Sequence, residues 1–77
     1  MFEYNICNQA DMVLFKRQCL ALEARIPGLQ LCSNLEDVDG SIVRTYSLGT
    51  GTVKVKNDAQ VDALYVTSDF DLTPYFN

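Results

Sequence analysis

The spacing of the apolar residues changes at Pro27-Gly28, and this change constrains the fold more than any other feature of the sequence. Upstream of this dipeptide, apolar residues recur every three or four positions, which places them on one face of a helix. The members of this stripe are Met12, Phe15, Cys19, Leu22 and Ile26. We therefore expect a helix from about Gln9 to Arg25 or Ile26, because proline and glycine terminate helices.

The start of this helix is expected at two polar residues that precede the stripe. Asn8 is a suitable N-cap, because its side-chain oxygen can accept a hydrogen bond from the first turn. Asp11 would then lie within the first turn, where the helix dipole favours a negative charge.

Outside the helix, apolar and polar residues alternate, which is typical of half-buried strands. Five segments show this pattern: residues 2–6, 29–35, 41–48, 52–56 and 64–72. Within the second segment, the alternation predicts that Leu29, Leu31 and Leu35 share one face. Asp39-Gly40 predicts a type I′ hairpin between the second and third strands, and Pro74 ends the last strand.

The element order is therefore β-α-β-β-β-β, with a meander after the helix. This order predicts a two-layer α+β fold in which one helix packs on a curved antiparallel sheet. A chain of 77 residues is too short for two hydrophobic cores, so residues 1–77 are expected to form a single domain.

The charges are unevenly distributed along the chain, whose net charge is −4. Every lysine and arginine lies at or before position 56, and the charged residues after that position are all acidic. A negative surface repels phosphate backbones, which disfavours broad nucleic-acid binding. The same surface would attract a protein partner with a basic surface.

The cysteines and the N-terminus indicate the expected compartment. Three cysteines, Cys7, Cys19 and Cys32, cannot all pair within one chain, which favours a reducing environment. The N-terminal segment lacks the basic region of a signal peptide, and the apolar runs are too short to span a membrane. We expect a cytoplasmic protein, in the host cell's cytoplasm if a phage encodes it.

The sequence contains no recognisable catalytic or cofactor motif. It has no histidine, which removes the commonest general base and most nucleophile pairings. Asp37, Asp39 and Gly40 superficially resemble a calcium loop, but Leu35 and Tyr46 occupy positions that need oxygen ligands. We therefore expect no enzymatic activity, no metal and no cofactor.

The final segment, SDFDLTPYFN, combines aspartates with aromatic residues. The alternation predicts that Phe70 and Leu72 continue the core, with Asp69 and Asp71 on one side of the last strand. Beyond Pro74 the chain can either fold back over the sheet or dock a partner. The residues concerned there are Tyr75 and Phe76.

These features favour a small acidic protein-binding module as the leading hypothesis. Such chains are typical of the inhibitors or regulators, including anti-defence proteins, that phages and mobile elements encode. The module would act by protein–protein contact or by mimicking the charge of nucleic acid. Its expected binding residues are Glu36, Asp37, Asp39, Asp58, Asp62, Asp69, Asp71, Tyr75 and Phe76.

Two alternatives remain open. The first is a homodimer or larger oligomer built on a second apolar face of the helix, formed by Val13, Arg17, Leu20 and Ala24. The second is a weak single-stranded nucleic-acid binder on the sheet, where basic residues accompany aromatic ones. Its members are Arg44, Tyr46, Lys54, Lys56 and Tyr65, although salt bridges from the lysines to Asp62 or Asp69 are the more economical interpretation.

Overall fold

One helix and five strands make up the computed structural model, which describes residues 1–76. The elements are β1 (Phe2–Cys7), α1 (Met12–Arg25), β2 (Gln30–Glu36), β3 (Ile42–Leu48), β4 (Gly51–Asp58), β5 (Ala63–Ser68) and a short 3-10 turn (Thr73–Tyr75). The predicted α+β class and element order are confirmed.

All the strand pairs are antiparallel, and the strands lie side by side in the order β1-β5-β4-β3-β2. β1 and β2 are consecutive strands, but they lie at opposite edges of the sheet. The helix that joins them has 14 residues and is about 21 Å long. Four strand spacings give a sheet about 19 Å wide, so α1 is long enough to cross it.

The core lies between α1 and one face of the sheet. Phe15, Cys19, Leu22 and Ile26 are at most 2% exposed, which confirms four members of the predicted helical stripe. Their partners come mainly from the inner face of the strands, with Tyr46, Val53, Val55, Leu64 and Val66 fully buried. Met12, the fifth predicted member, is the first residue of the helix and is 40% exposed.

The helix begins three residues later than predicted, and Asp11 is its N-cap. The Asp11 carboxylate accepts hydrogen bonds from the backbone N–H groups of Val13 (2.9 Å) and Leu14 (3.1 Å). The prediction of Asn8 as the cap is wrong, because its Oδ1 accepts a bond from the Asn5 amide instead. The backbone N–H of Asp11 donates to Asn57 Oδ1 (2.9 Å), which fixes the start of the helix against β4.

β2 lies outside the core, since none of its seven residues is buried. A register shift between Leu31 and Ser33 pairs Leu31 with the buried Tyr46 and Leu35 with Val43. Tyr46 and Val43 are three residues apart on β3, so Leu31 and Leu35 lie on opposite faces of the sheet. The prediction that they share a face is therefore wrong, and both are exposed.

The hairpin predicted at Asp39-Gly40 is present, but its turn is not type I′. A type I′ turn needs positive φ at both central residues, whereas here only Gly40 has it, at 90°. The Gly40 N–H donates to the Asp37 carbonyl (3.1 Å), and the Asp37 N–H donates to the Ser41 carbonyl (2.7 Å). These two bonds close a three-residue loop with glycine in the left-handed position.

The last strand ends at Ser68, earlier than the predicted Leu72. Leu72 is fully buried as predicted, but Phe70 is 36% exposed and is not part of the core. The Phe70 ring lies so close over Gly51 that a Cβ at Gly51 would overlap it. Gly51 is therefore required by this close approach, and not by an unusual backbone angle.

Candidate protein-interaction surfaces

Two turns meet at one end of the sheet and collect most of the predicted binding residues. The strand register places the ends of β2 and β4 beside the starts of β3 and β5. The backbone N–H of Ala59 in one turn donates to Ser41 Oγ in the other (2.9 Å). This surface, which we call the acidic end, contains Glu36, Asp37, Asp39, Asp58 and Asp62.

Four of these carboxylates are fixed by hydrogen bonds from nearby backbone N–H groups. Asp37 and Asp39 accept from Val38 (2.7 Å) and Ser41 (2.9 Å), and Asp58 accepts from Gln60 (2.9 Å) and Val61 (3.3 Å). Asp62 accepts from Ala10 (2.8 Å), just before the helix. The carboxylates are therefore held in place by the turns they stabilise.

Two residues of the acidic end have distinctive electrostatic or backbone properties. The hydrogen bonds from Ser41 lower the pKa of Asp39 below its ordinary value, because they favour the ionised carboxylate. Asp62 has a positive φ of 54°, an uncommon conformation for a residue other than glycine. Its bond to Ala10 and its place in the turn stabilise this conformation.

Exposed aliphatic side chains accompany these carboxylates. Val38 lies in the β2–β3 turn and is fully exposed, while Val61 in the β4–β5 turn is 66% exposed. Leu35, near the end of β2, is 67% exposed. The place of these three side chains on an acidic surface was not predicted from the sequence, although Val38 lies between two acidic turn residues in DVDG, which was an available signal.

Asp69 and Asp71 lie at the opposite end of the sheet from Asp58 and Asp62, since β5 runs between the two pairs. The prediction that they share one side of the last strand is wrong, because β5 ends before them. Asp69 accepts bonds from the Thr52 N–H (2.9 Å) and hydroxyl (3.2 Å). The predicted group of four carboxylates, from Asp58 to Asp71, is therefore divided between two ends of the molecule.

The aromatic residues of the tail pack back against the core, and Phe76 contacts β1. Tyr75 and Phe76 are half-buried, and the Phe76 ring lies 4.8 Å from the Tyr4 ring, centroid to centroid. The Tyr4 hydroxyl donates to Asp71 Oδ1 (3.0 Å) and accepts from the Leu72 N–H (2.7 Å). Of the two possibilities left open for this segment, the structure shows the first, and Asn77 lies outside the described residues.

The second helix face is exposed as a continuous line. Val13, Arg17, Leu20 and Ala24 all face away from the sheet, with Val13 and Leu20 exposed by 61% and 64%. Their spacing of three and four residues keeps them on one side of α1. This face is a possible contact surface, but only its two larger apolar residues would contribute much buried area.

The basic and aromatic residues predicted to bind single strands lie on both faces of the sheet. Tyr46 is fully buried on the helix side and donates to Glu23 Oε2 (2.6 Å), while Arg44 lies 3.8 Å from the same oxygen. Burial is the larger cause of the raised pKa of Tyr46, and the hydrogen bond to Glu23 is the second cause. This network fixes β3 to the helix, and the buried Tyr46 ring is not available to stack on a base.

Lys54, Lys56 and Tyr65 remain on the helix-free face. They line an open groove of about 500 Å³, which also contains Glu3 and Thr67. Lys56 lies 5.6 Å above the Tyr65 ring, measured to its centroid. Among residues 1–76, neither lysine forms the salt bridge to Asp62 or Asp69 that the sequence suggested. Two lysines with an acidic neighbour make a modest cationic surface.

The three cysteines have different environments and form no disulfide. Cys19 lies on the buried face of α1, and burial raises the pKa of its thiol, which makes it unreactive. Cys7 is half-buried and Cys32 is exposed on β2. In the described part of the chain, no three cysteine or carboxylate side chains are placed to hold a metal ion.

Comparison of the chain with protein-family models, curated proteins and solved structures gives no match. Within residues 1–76, no helix is long and apolar enough to cross a membrane.

Proposed function

We propose that this chain is a small, non-enzymatic protein-binding module whose acidic end docks on a basic surface of another protein. It would serve as an inhibitor or regulator of the kind that phages and mobile elements encode. The observation that carries the proposal is the junction of two turns, linked by the Ala59–Ser41 bond, which presents five carboxylates beside Val38 and Val61.

The fixed geometry of the carboxylates supports binding. A flexible charged side chain loses about 0.5–1.5 kcal/mol of conformational entropy when a partner immobilises it. Asp37, Asp39 and Asp58 are already held by backbone N–H groups, so less of this cost remains at binding. These bonds use Oδ1 of each residue, which leaves an oxygen on each carboxylate directed elsewhere.

The mixture of charged and apolar side chains also fits a protein partner. Carboxylates steer a basic partner and give specificity, whereas burial of aliphatic surface supplies most of the affinity. Val38 has no contact that protects it from solvent, so burying it in a partner would be favourable. A purely solvated acidic surface would have no need of valines in both turns.

The nature of the partner follows from the sign of the charge. Surfaces that bind nucleic acid are rich in lysine and arginine, and a cluster of fixed carboxylates competes with phosphates for them. The favoured target class is therefore a basic protein, including one that itself binds nucleic acid. Inhibition would result from occupying that surface.

The test is affinity capture from a host lysate with matched variants. Asp39→Asn/Asp58→Asn removes two charges from the acidic end but keeps the side-chain oxygens that accept backbone bonds. Asp69→Asn/Asp71→Asn removes the same number at the opposite end. We expect a partner that is recovered with the wild type and the second variant, and at least tenfold less with the first.

Two further readouts complete this experiment. The amount of captured partner should fall as salt rises, because the interaction is electrostatic. Val38→Ser should also weaken capture without affecting stability, since the side chain is fully exposed. Equal recovery with both double variants, or the absence of any stoichiometric partner, would contradict the proposal.

A further inference from the structure

β2 is a sheet edge that lacks most of the protection that edges usually have. It follows β3 as the last strand of the sheet, and none of its seven residues is buried. Residues 30–35, QLCSNL, include no charge and no proline. Lysines, prolines and covering segments are the usual means of preventing an edge from pairing with another chain.

The opposite edge shows the contrast. β1 carries Glu3, and its Tyr4 ring is covered by Phe76 of the tail. A register shift interrupts its pairing between Asn5 and Cys7. β2 also has a register shift, near Leu31, but from Ser33 to Glu36 it pairs regularly with β3. This part of the edge is regular enough to accept another strand.

We infer that β2 pairs antiparallel with β2 of a second copy of this chain, which joins two five-stranded sheets into one of ten strands. The uncharged edge favours a second copy over the basic partner proposed above, because β2 contains a single charged residue, Glu36. Leu35, which is 67% exposed, lies in the regular part of the strand and would be shielded by the added strand.

The charges select the antiparallel arrangement. A parallel pair would place Glu36 and Asp37 beside the same residues of the second copy. An antiparallel pair centred on Asn34, within the regular segment, keeps residues of the same sheet face opposite each other and places Glu36 beside the uncharged Cys32 of the other chain. The two Glu36 residues are then roughly 13 Å apart along the strands, at about 3.3 Å per residue. This separation exceeds the Debye length of about 8 Å at physiological salt.

The dimer should be weak and dependent on concentration. A single seven-residue edge gives a small interface, of the size found in transient complexes. We expect a dissociation constant on the order of 10–100 µM. This inference is independent of the proposed function, since Asp39, Asp58 and Asp62 of the acidic end lie outside β2 and remain accessible in both copies.

Sedimentation velocity from about 10 µM to 1 mM tests the inference with two matched variants. Leu35→Lys places a charge on the β2 edge, and Leu20→Lys makes the same change on the helix, at a residue of nearly equal exposure. We expect Leu35→Lys to raise the dissociation constant about tenfold, because it removes an apolar side chain from the interface and places two lysines diagonally across the paired strands on one face. Leu20→Lys should leave it unchanged.

Cys32 provides a second readout that does not require a folded variant. It is exposed on β2, and antiparallel pairing centred on Asn34 brings two copies of it to roughly 13 Å along the strands, within reach of a bismaleimide crosslinker. We expect a crosslinked dimer with the wild type and none with Cys32→Ser. Added salt should increase its yield, because two chains of charge −4 repel each other less when screened.

Three results would overturn the inference. The first is a monomer at 1 mM, and the second is the absence of Cys32 crosslinks at that concentration. The third is dissociation by Leu20→Lys with no effect of Leu35→Lys, which would place the interface on the helix face instead.

Discussion

Asp71 shows how one carboxylate can hold distant parts of the chain together. Its Oδ1 accepts from the Thr73 hydroxyl (2.6 Å), the Thr73 N–H (3.0 Å) and the Tyr4 hydroxyl (3.0 Å). Tyr4 in turn accepts from the N–H of the buried Leu72. The tail is therefore fixed to β1 by a small network in which the Asp71 carboxylate accepts the hydrogen bonds.

This network makes the stability of the tail depend on pH. The bonds from Thr73, followed by the bond from Tyr4, lower the pKa of Asp71 below 3.8. A carboxylate with a lowered pKa in the folded state stabilises the protein above its unfolded pKa, and this contribution is lost as the pH falls through the folded value. We expect the difference in unfolding free energy between the wild type and Asp71→Asn to shrink below about pH 3.8.

Urea denaturation between pH 2.5 and pH 7 measures this difference. Glu36→Gln is the control for the loss of one carboxylate: residues 1–76 provide no hydrogen bond to the Glu36 carboxylate, so this variant should not lose stability relative to the wild type, whereas Asp71→Asn should. The amide exchange rate of Leu72 gives a local readout of the same network. A difference between the wild type and Asp71→Asn that stays constant over this pH range would refute the prediction.

Individual residues also show which features of the structure could be predicted from the sequence. Gly40 could be assigned to a turn because the requirement for positive φ is local. The partner of Asp71 is Tyr4, 67 residues away, and no local pattern connects them. Similarly, Phe70 leaves the core because β5 ends two residues earlier, where Asp69 bonds to Thr52.

Among the elements, α1 was predicted well along its length but poorly at its start. The helical spacing reports which face is buried, so Phe15 to Ile26 were identified correctly. The cap depends on contacts with other elements. Asn57 on β4 accepts a hydrogen bond from the Asp11 N–H and so fixes Asp11 at the cap position. This long-range contact leaves no pattern in the sequence around Asn8.

We expect Asp11→Ala to lower the unfolding free energy by about 1 kcal/mol, the typical cost of losing an N-cap. The change removes the acceptor for the N–H groups of Val13 and Leu14, the second of which is partly buried. Equilibrium unfolding followed by circular dichroism measures this loss.

Asn8→Ala is the matched control for the cap. Its exposed bond to Asn5 contributes little, so a change below about 0.5 kcal/mol is expected. A loss at Asn8 equal to or greater than that at Asp11 would mean that Asn8 contributes more to the start of the helix than this geometry allows.

At the scale of the whole molecule, the order of the strands determines which charges meet. The sequence predicts the elements but not that β1 pairs with β5, because such long-range pairing leaves no local pattern. The meander then brings the β2–β3 and β4–β5 turns to one end and leaves Asp69 and Asp71 at the other. One part of the predicted binding set is therefore assembled and the other is separated.

The charges of the acidic end affect the stability of the fold, since carboxylates placed close together repel each other. For Asp39 the hydrogen bonds from Ser41 stabilise the ionised carboxylate and lower its pKa. Glu36 differs, since residues 1–76 provide its carboxylate with no hydrogen bond or ion pair. It contributes negative charge to this end without a compensating bond in the fold.

We therefore expect Glu36→Gln to raise the unfolding free energy by about 0.5 kcal/mol at low salt, the scale of one exposed charge–charge interaction. The gain should vanish near 0.5 M NaCl, where screening removes the repulsion. Glu3→Gln is the control, since Glu3 shares the groove with Lys54 and Lys56 and its removal should give no gain. Urea denaturation at the two salt concentrations measures both variants.

The same variant separates a structural from a functional role for the acidic end. Because the Glu36 carboxylate makes no bond within residues 1–76, a binding role predicts for this residue the largest contrast between the effects on stability and on partner capture. Glu36→Gln should then stabilise the chain and at the same time weaken the capture of a basic partner. A variant that is more stable and captures the partner equally well would show that Glu36 belongs to the solvated surface alone.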